Sequence, residues 1–130
     1  MAKRPRLIIG KMGLDAHDNG LRIVAKWLMD SGYEVIYAGL YNTPERMVQM
    51  ALEENADGIG ISFLGGEHVY YANALVSCLQ QRQMRHVKII IDGVIPPHDV
   101  ASLKHLGIDA VFTPGTRKQE IVDRIAALFA

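Results

Sequence analysis

Asp15 and His17 stand two positions apart in the run Gly10-Lys11-Met12-Gly13-Leu14-Asp15-Ala16-His17-Asp18-Asn19-Gly20. On an irregular or extended backbone this spacing leaves both side chains free to reach one centre, whereas on a helix it would send them to different sides. A neutral imidazole ligates a metal through one ring nitrogen, and a carboxylate commonly holds the other N–H, fixing the tautomer and raising basicity. Metal ligation by His17 with Asp15 behind it is the chemistry the pair offers. Taken alone, the same spacing also describes a solvated loop pair. Gly13 and Gly20 add backbone freedom and remove side chains where a bulky planar ligand would approach. The run contains neither Gly-x-x-x-x-Gly-Lys-Ser/Thr nor Gly-x-Gly-x-x-Gly, so phosphate cradling is not expected of it.

The elements that must position this run follow from hydrophobic pattern. Short apolar stretches at Arg6 to Ile9, Glu34 to Ala38, Gly58 to Ser62, Val87 to Ile91 and Ala110 to Thr113 have the length and Ile/Val content of strands buried on both faces. Between them, Leu21 to Asp30 carries Ile23, Val24, Trp27 and Leu28 at helical spacing, closed by Ser31-Gly32. Thr43-Pro44-Glu45-Arg46 opens the next helix with a capping hydroxyl, a proline and an acid, and Met47, Met50 and Ala51 form its core face. Val69 to Arg85, Asp99 to Leu106 and Lys118 to Phe129 supply three more. Strict strand-helix alternation predicts an α/β, flavodoxin-like (Rossmann-like) doubly wound parallel sheet of order 2-1-3-4-5 in a single domain, 1–130. Ligands of such sheets bind beyond the carboxyl ends of the strands, which is where the Asp15/His17 run lies.

Bulk composition excludes several function classes. Fourteen basic and fourteen acidic residues give a formal net charge of zero, leaving no overall footprint for nucleic acid or an anionic membrane. Cys78 is the only cysteine, which rules out an intramolecular disulfide and fits a reducing compartment. No stretch approaches the roughly 20 apolar residues of a membrane span or a secretory leader, so a cytoplasmic protein is expected. His68, His86, His98 and His105 have no metal-site spacing and read as surface or helix-end residues. Gly65-Gly66-Glu67-His68 is the exception, since it follows Ser62-Phe63-Leu64 on the ligand side. Of Tyr70 and Tyr71, one is expected in the core and the other at an interface.

Asp15-Ala16-His17-Asp18-Asn19-Gly20 resembles the Asp-x-His-x-x-Gly motif of cobalamin-binding domains, and Ser62-Phe63-Leu64 resembles that family's Ser-x-Leu. Lys11 to Asp18 is similar to the corresponding run of methylmalonyl-CoA mutase-type domains. Gly93-Val94-Ile95-Pro96-Pro97 and Thr113-Pro114-Gly115-Thr116 are similar to the last two ligand-side loops. The resemblance spans nearly the whole chain. It implies the small cobalamin-binding subunit of an adenosylcobalamin-dependent acyl-CoA mutase, with His17 as lower axial ligand of cobalt, Asp15 on its far nitrogen and Lys11 able to pair with Asp15. It further implies cofactor contacts at Ala16, Asp18, Gly20 and Gly66, with Ser62 and Leu64 lining a channel for the displaced nucleotide tail and Gly93, Gly115 and Thr116 bordering its nucleotide end. Asp92 departs from the Gly-Gly pair that such domains often carry. The implied partner is a larger barrel subunit that binds the acyl-CoA, with contacts around Gly65-Gly66-Glu67-His68 and Ile95-Pro96-Pro97-His98. A corrinoid carrier for methyl transfer is the alternative; a phosphoacceptor receiver is disfavoured because position 62 is Ser and Asp57 precedes its strand.

Overall fold

The computed structural model describes residues 4–13, 19–63 and 66–130. Along these residues strands and helices alternate as β1 (Arg6–Met12), α1 (Asn19–Asp30), β2 (Glu34–Asn42), α2 (Pro44–Glu53), β3 (Gly58–Phe63), α3 (His68–Gln81), β4 (Lys88–Gly93), α4 (Pro97–Leu106), β5 (Ala110–Phe112) and α5 (Lys118–Leu128). The strands form one parallel sheet of order β2-β1-β3-β4-β5, as the alternation predicts.

Because side chains alternate across a strand, each face of the sheet carries its own apolar set. On one face Leu7, Ile9, Ile90, Ala110 and Phe112 meet Leu21, Ala25 and Leu28 of α1 and Ile121 and Ile125 of α5. On the other, Ile8, Ile59, Ile61, Ile89 and Ile91 meet α2, α3 and α4 through Met47, Val48, Leu75, Leu79 and Leu103. Each such side chain contributes about 1.5–3 kcal/mol when fully buried. Thr43 caps α2 by accepting the Arg46 N–H at 3.1 Å, with Pro44 in the first turn.

Several boundaries differ from the sequence expectation for identifiable reasons. β1 runs on to Met12, so Gly10 to Met12 belong to the sheet and not to the loop. α1 starts at Asn19 and takes Gly20 into its first turn; it turns Ile23 half outward and buries Leu21, Ala25 and Leu28 instead. α3 stops at Gln81, because Gln83 adopts a left-handed φ of 57° and the Met84 N–H turns back to Leu79 O at 2.8 Å, burying the Met84 side chain. β2 extends to Asn42 because its register against β1 slips twice: Ile9 faces Tyr37, Gly10 faces Gly39 and Met12 faces Asn42. Each slip leaves an extra residue on β2, and Gly39 and Tyr41 take left-handed φ values of 76° and 61°.

Candidate functional site

The carboxyl ends of the strands share one edge of the sheet, and the end of β1 is held there by Asn42. This side chain is 1% exposed and donates through Nδ2 to Lys11 O at 2.9 Å and Gly39 O at 3.0 Å. The Gly13 N–H in turn donates to Asn42 O at 3.0 Å. Gly13 has φ +66° and lies against the Tyr71 hydroxyl so closely that a Cβ would collide with it. The point from which the Asp15/His17 run departs is thus fixed by buried hydrogen bonds. Asp15, Ala16, His17, Asp18 and Leu64 themselves lie outside the described residues.

On the face covered by α1 and α5, the β3–β4 register sets Gly58 beside Lys88, Gly60 beside Ile90 and Ser62 beside Asp92, and the β4–β5 register sets Asp92 beside Phe112. Lys11 extends the Leu7, Ile9 row of this face and is fully buried. The Asp92 carboxyl is held above the ordinary carboxylate range by burial, while the Gly93 N–H and the Lys11 charge pull it back. Below this polar row lies a slot between the sheet and the two helices, with about 410 Å³ of atom-free space counting open solvent. Leu7, Ile9, Leu28, Ile90, Phe112 and Ile125 are among its apolar walls, Gly60 is its bare floor, and Asp92 stands at its carboxyl-end rim. A flat apolar ring fits such a site, because a side chain at position 60 would occupy the place the ring needs.

Other expected contacts lie around the same edge. Gly93 has φ +134°, and a Cβ there would collide with the Phe63 backbone, so β3–β4 packing by itself requires glycine at this position. Gly66 and Gly115 take positive φ with open space beside them. The Thr116 hydroxyl donates to Thr113 O at 2.6 Å, which closes the turn after β5. Ser62 is half-buried on β3. The edge therefore gathers Lys11, Ser62, Asp92, Gly93, Gly115 and Thr116, although Gly20 sits in a helix.

His68 corrects the expectation of a surface position: it is the first residue of α3 but only 3% exposed. Its Nε2 pairs with Asp99 Oδ2 at 2.7 Å and its ring packs edge-on against Phe63, while His86, His98 and His105 are exposed as expected. The pair ties the start of α3 to the first turn of α4. Ile95 is likewise buried, so of the expected contact loops Gly66, Glu67, Pro97 and His98 are the outward members. Tyr71 stacks on Phe63 and Tyr70 is 72% exposed, dividing core from surface as foreseen. Tyr41, Val69, Tyr70 and Val94 place exposed apolar surface on this same edge. Asn42, Gly60 and the His68–Asp99 pair escaped sequence reasoning. The Gly58-x-Gly60-x-Ser62 alternation was the available signal for a thinned sheet face.

Known proteins match this architecture along its length. The family model for the B12 binding domain matches residues 5–123. The 2-hydroxyisobutanoyl-CoA mutase small subunit of Aquincola tertiaricarbonis is 38% identical over 96% of this chain and 92% of its own. The pivalyl-CoA mutase small subunit of Xanthobacter autotrophicus is also 38% identical, over 95% of this chain and 82% of its own. Among solved structures, a cobalamin-binding protein from Desulfitobacterium hafniense superposes with a TM-score of 0.84 at 23% identity, covering 98% of this chain and 60% of that one, which shows a common fold. With its sheet order, its slot beside the sheet and these relatives of matching length, the chain belongs to the B12-binding domain family.

Proposed function

We propose that the chain is the cofactor-carrying small subunit of an adenosylcobalamin-dependent acyl-CoA mutase. The observation that carries this reading is the apolar slot under the carboxyl edge of the sheet, floored by Gly60 and rimmed by Asp92, in a chain whose mutase relatives are small subunits of similar length. His17 would be the lower axial ligand, with Asp15 fixing its tautomer and Lys11 placed at the base of the run to pair with Asp15. Leu64, Ser62 and the slot would take the nucleotide tail, and Ala16, Asp18, Gly20, Gly66, Gly93, Gly115 and Thr116 would border the cofactor. When bound, adenosylcobalamin supplies homolysis of its cobalt–carbon bond; the protein binds, orients and excludes water.

Tyr41, Val69, Tyr70 and Val94 would be covered by a larger, barrel-type subunit that binds the acyl-CoA and closes the site against solvent. The test is reconstitution. The purified chain with adenosylcobalamin should turn over no acyl-CoA ester alone and gain turnover when the large subunit is added. Co(II) cobalamin on the histidine-¹⁵N protein should show altered hyperfine splitting that His17→Ala abolishes. Turnover by the small chain alone, or splitting insensitive to the label, would overturn the assignment.

A further inference from the structure

We propose that Asp92 is a specificity residue that reads the lower base of the bound corrinoid, sharing a proton with the ring nitrogen freed when that base leaves cobalt. The inference rests on the function proposed above and deepens it. Among the residues lining the slot, Asp92 alone carries an ionisable side chain; the rest are hydrocarbon or glycine. Such walls bury ring carbons without distinguishing one flat ring from another, so any recognition of a heteroatom inside the slot falls to Asp92. Its position is fixed by pairing with Ser62 on β3 and Phe112 on β5.

The carboxyl has more hydrogen-bonding capacity than its protein neighbours use. The Gly93 N–H bonds to it and the Lys11 charge attracts it, yet burial outweighs both and favours the protonated form. A carboxyl offers about four lone-pair sites, or an O–H donor when protonated. An imidazole-type nitrogen released from cobalt has a bare lone pair in a low-dielectric slot, where an unpaired polar atom is costly. Either O–H···N or O⁻···H–N⁺ satisfies both groups, and the proton count is the same in each. A lower base attached through a phenolic oxygen has no ring nitrogen and gains nothing from Asp92.

The test measures the affinity of the full chain, by absorbance titration, for cobalamin, for a cobamide whose lower base is p-cresol, and for cobinamide, which lacks the nucleotide. Base release from cobalt burdens cobalamin but not the cresol analogue, so what is compared is the effect of Asp92→Ala on each ligand. It should weaken cobalamin by about 10- to 100-fold, as loss of a charge-assisted hydrogen bond does. The cresol analogue and cobinamide should change by no more than about twofold. Asp92→Leu, which adds no polar atom to the slot, should repeat the pattern and keeps the test sound should the alanine variant misfold. Equal weakening of cobalamin and the cresol analogue, or none of either, overturns the role of Asp92. Wild-type binding of cobinamide as tight as of cobalamin overturns the tail slot, and binding of none of the three overturns the proposed function itself.

Discussion

Replacing Gly60 with valine should separate what the slot does for the cofactor from what it does for the fold. A Cβ at position 60 would sit 3.4 Å from Ile9 Cγ1 and 4.0 Å from Ile9 Cδ1, which is ordinary contact, so the backbone admits a side chain. Three added carbons at about 0.8 kcal/mol each gain about 2 kcal/mol of burial, against about 1–3 kcal/mol for crowding. Net stability should therefore stay within about 1 kcal/mol of wild type, a change of a few degrees in Tm. Binding should behave differently. An aromatic ring burying about 150 Å² at about 25 cal/mol per Å² gains about 4 kcal/mol, or roughly 1000-fold in affinity, as an upper limit. Ordering costs reduce this, so cobalamin affinity is expected to fall by about 10- to 1000-fold toward that of cobinamide, with cobinamide itself unaffected. Paired thermal melts and absorbance titrations measure both quantities. A folded Gly60→Val protein that binds cobalamin like wild type would refute the slot as the seat of the tail.

His68→Ala should cost about 2–4 kcal/mol in urea denaturation, because it opens a cavity against Phe63 and strips Asp99 Oδ2 of its 2.7 Å partner; His86→Ala, on an exposed turn, should stay within about 0.5 kcal/mol, and equal losses would contradict the buried pair. Burial holds the folded Asp92 carboxyl above its ordinary value of 3.8, so its contribution is fully present below that value and is lost as pH rises through the folded value. Asp92→Asn should accordingly gain stability relative to wild type as pH climbs through that window, and a stability difference that does not vary with pH would reverse the balance between burial and Lys11.

Pattern sufficed for the architecture because parallel strands buried on both faces leave an unmistakable rhythm of short Ile/Val runs, as at Ile89-Ile90-Ile91, between helical segments. Boundaries were less legible where tertiary contacts overrode local signals. Nothing local tells that Gln83 will turn left-handed so that Met84 can be buried, or that β2 will carry extra residues beside Gly10. The site was legible through the Asp15/His17 spacing and the loop glycines, whose roles need no knowledge of distant partners. The His68–Asp99 pair was not, since its members are 31 positions apart and meet only after α3 and α4 dock. Gly93 was read as a ligand-side glycine, while the Phe63 backbone already forbids a side chain there.

The double register slip in β2 has a bearing on solubility. β2 is an outer strand of the sheet, and at nine residues it is longer than the β5 strand on the opposite edge, which has three. A long, flat outer strand offers a row of unpaired amides on which another chain can build, the usual start of edge-to-edge aggregation. The extra residues, with left-handed turns at Gly39 and Tyr41, break that row and twist its end away from a regular ladder. The same distortion that lets Asn42 reach the end of β1 thus makes the open side of the sheet a poor template for another strand.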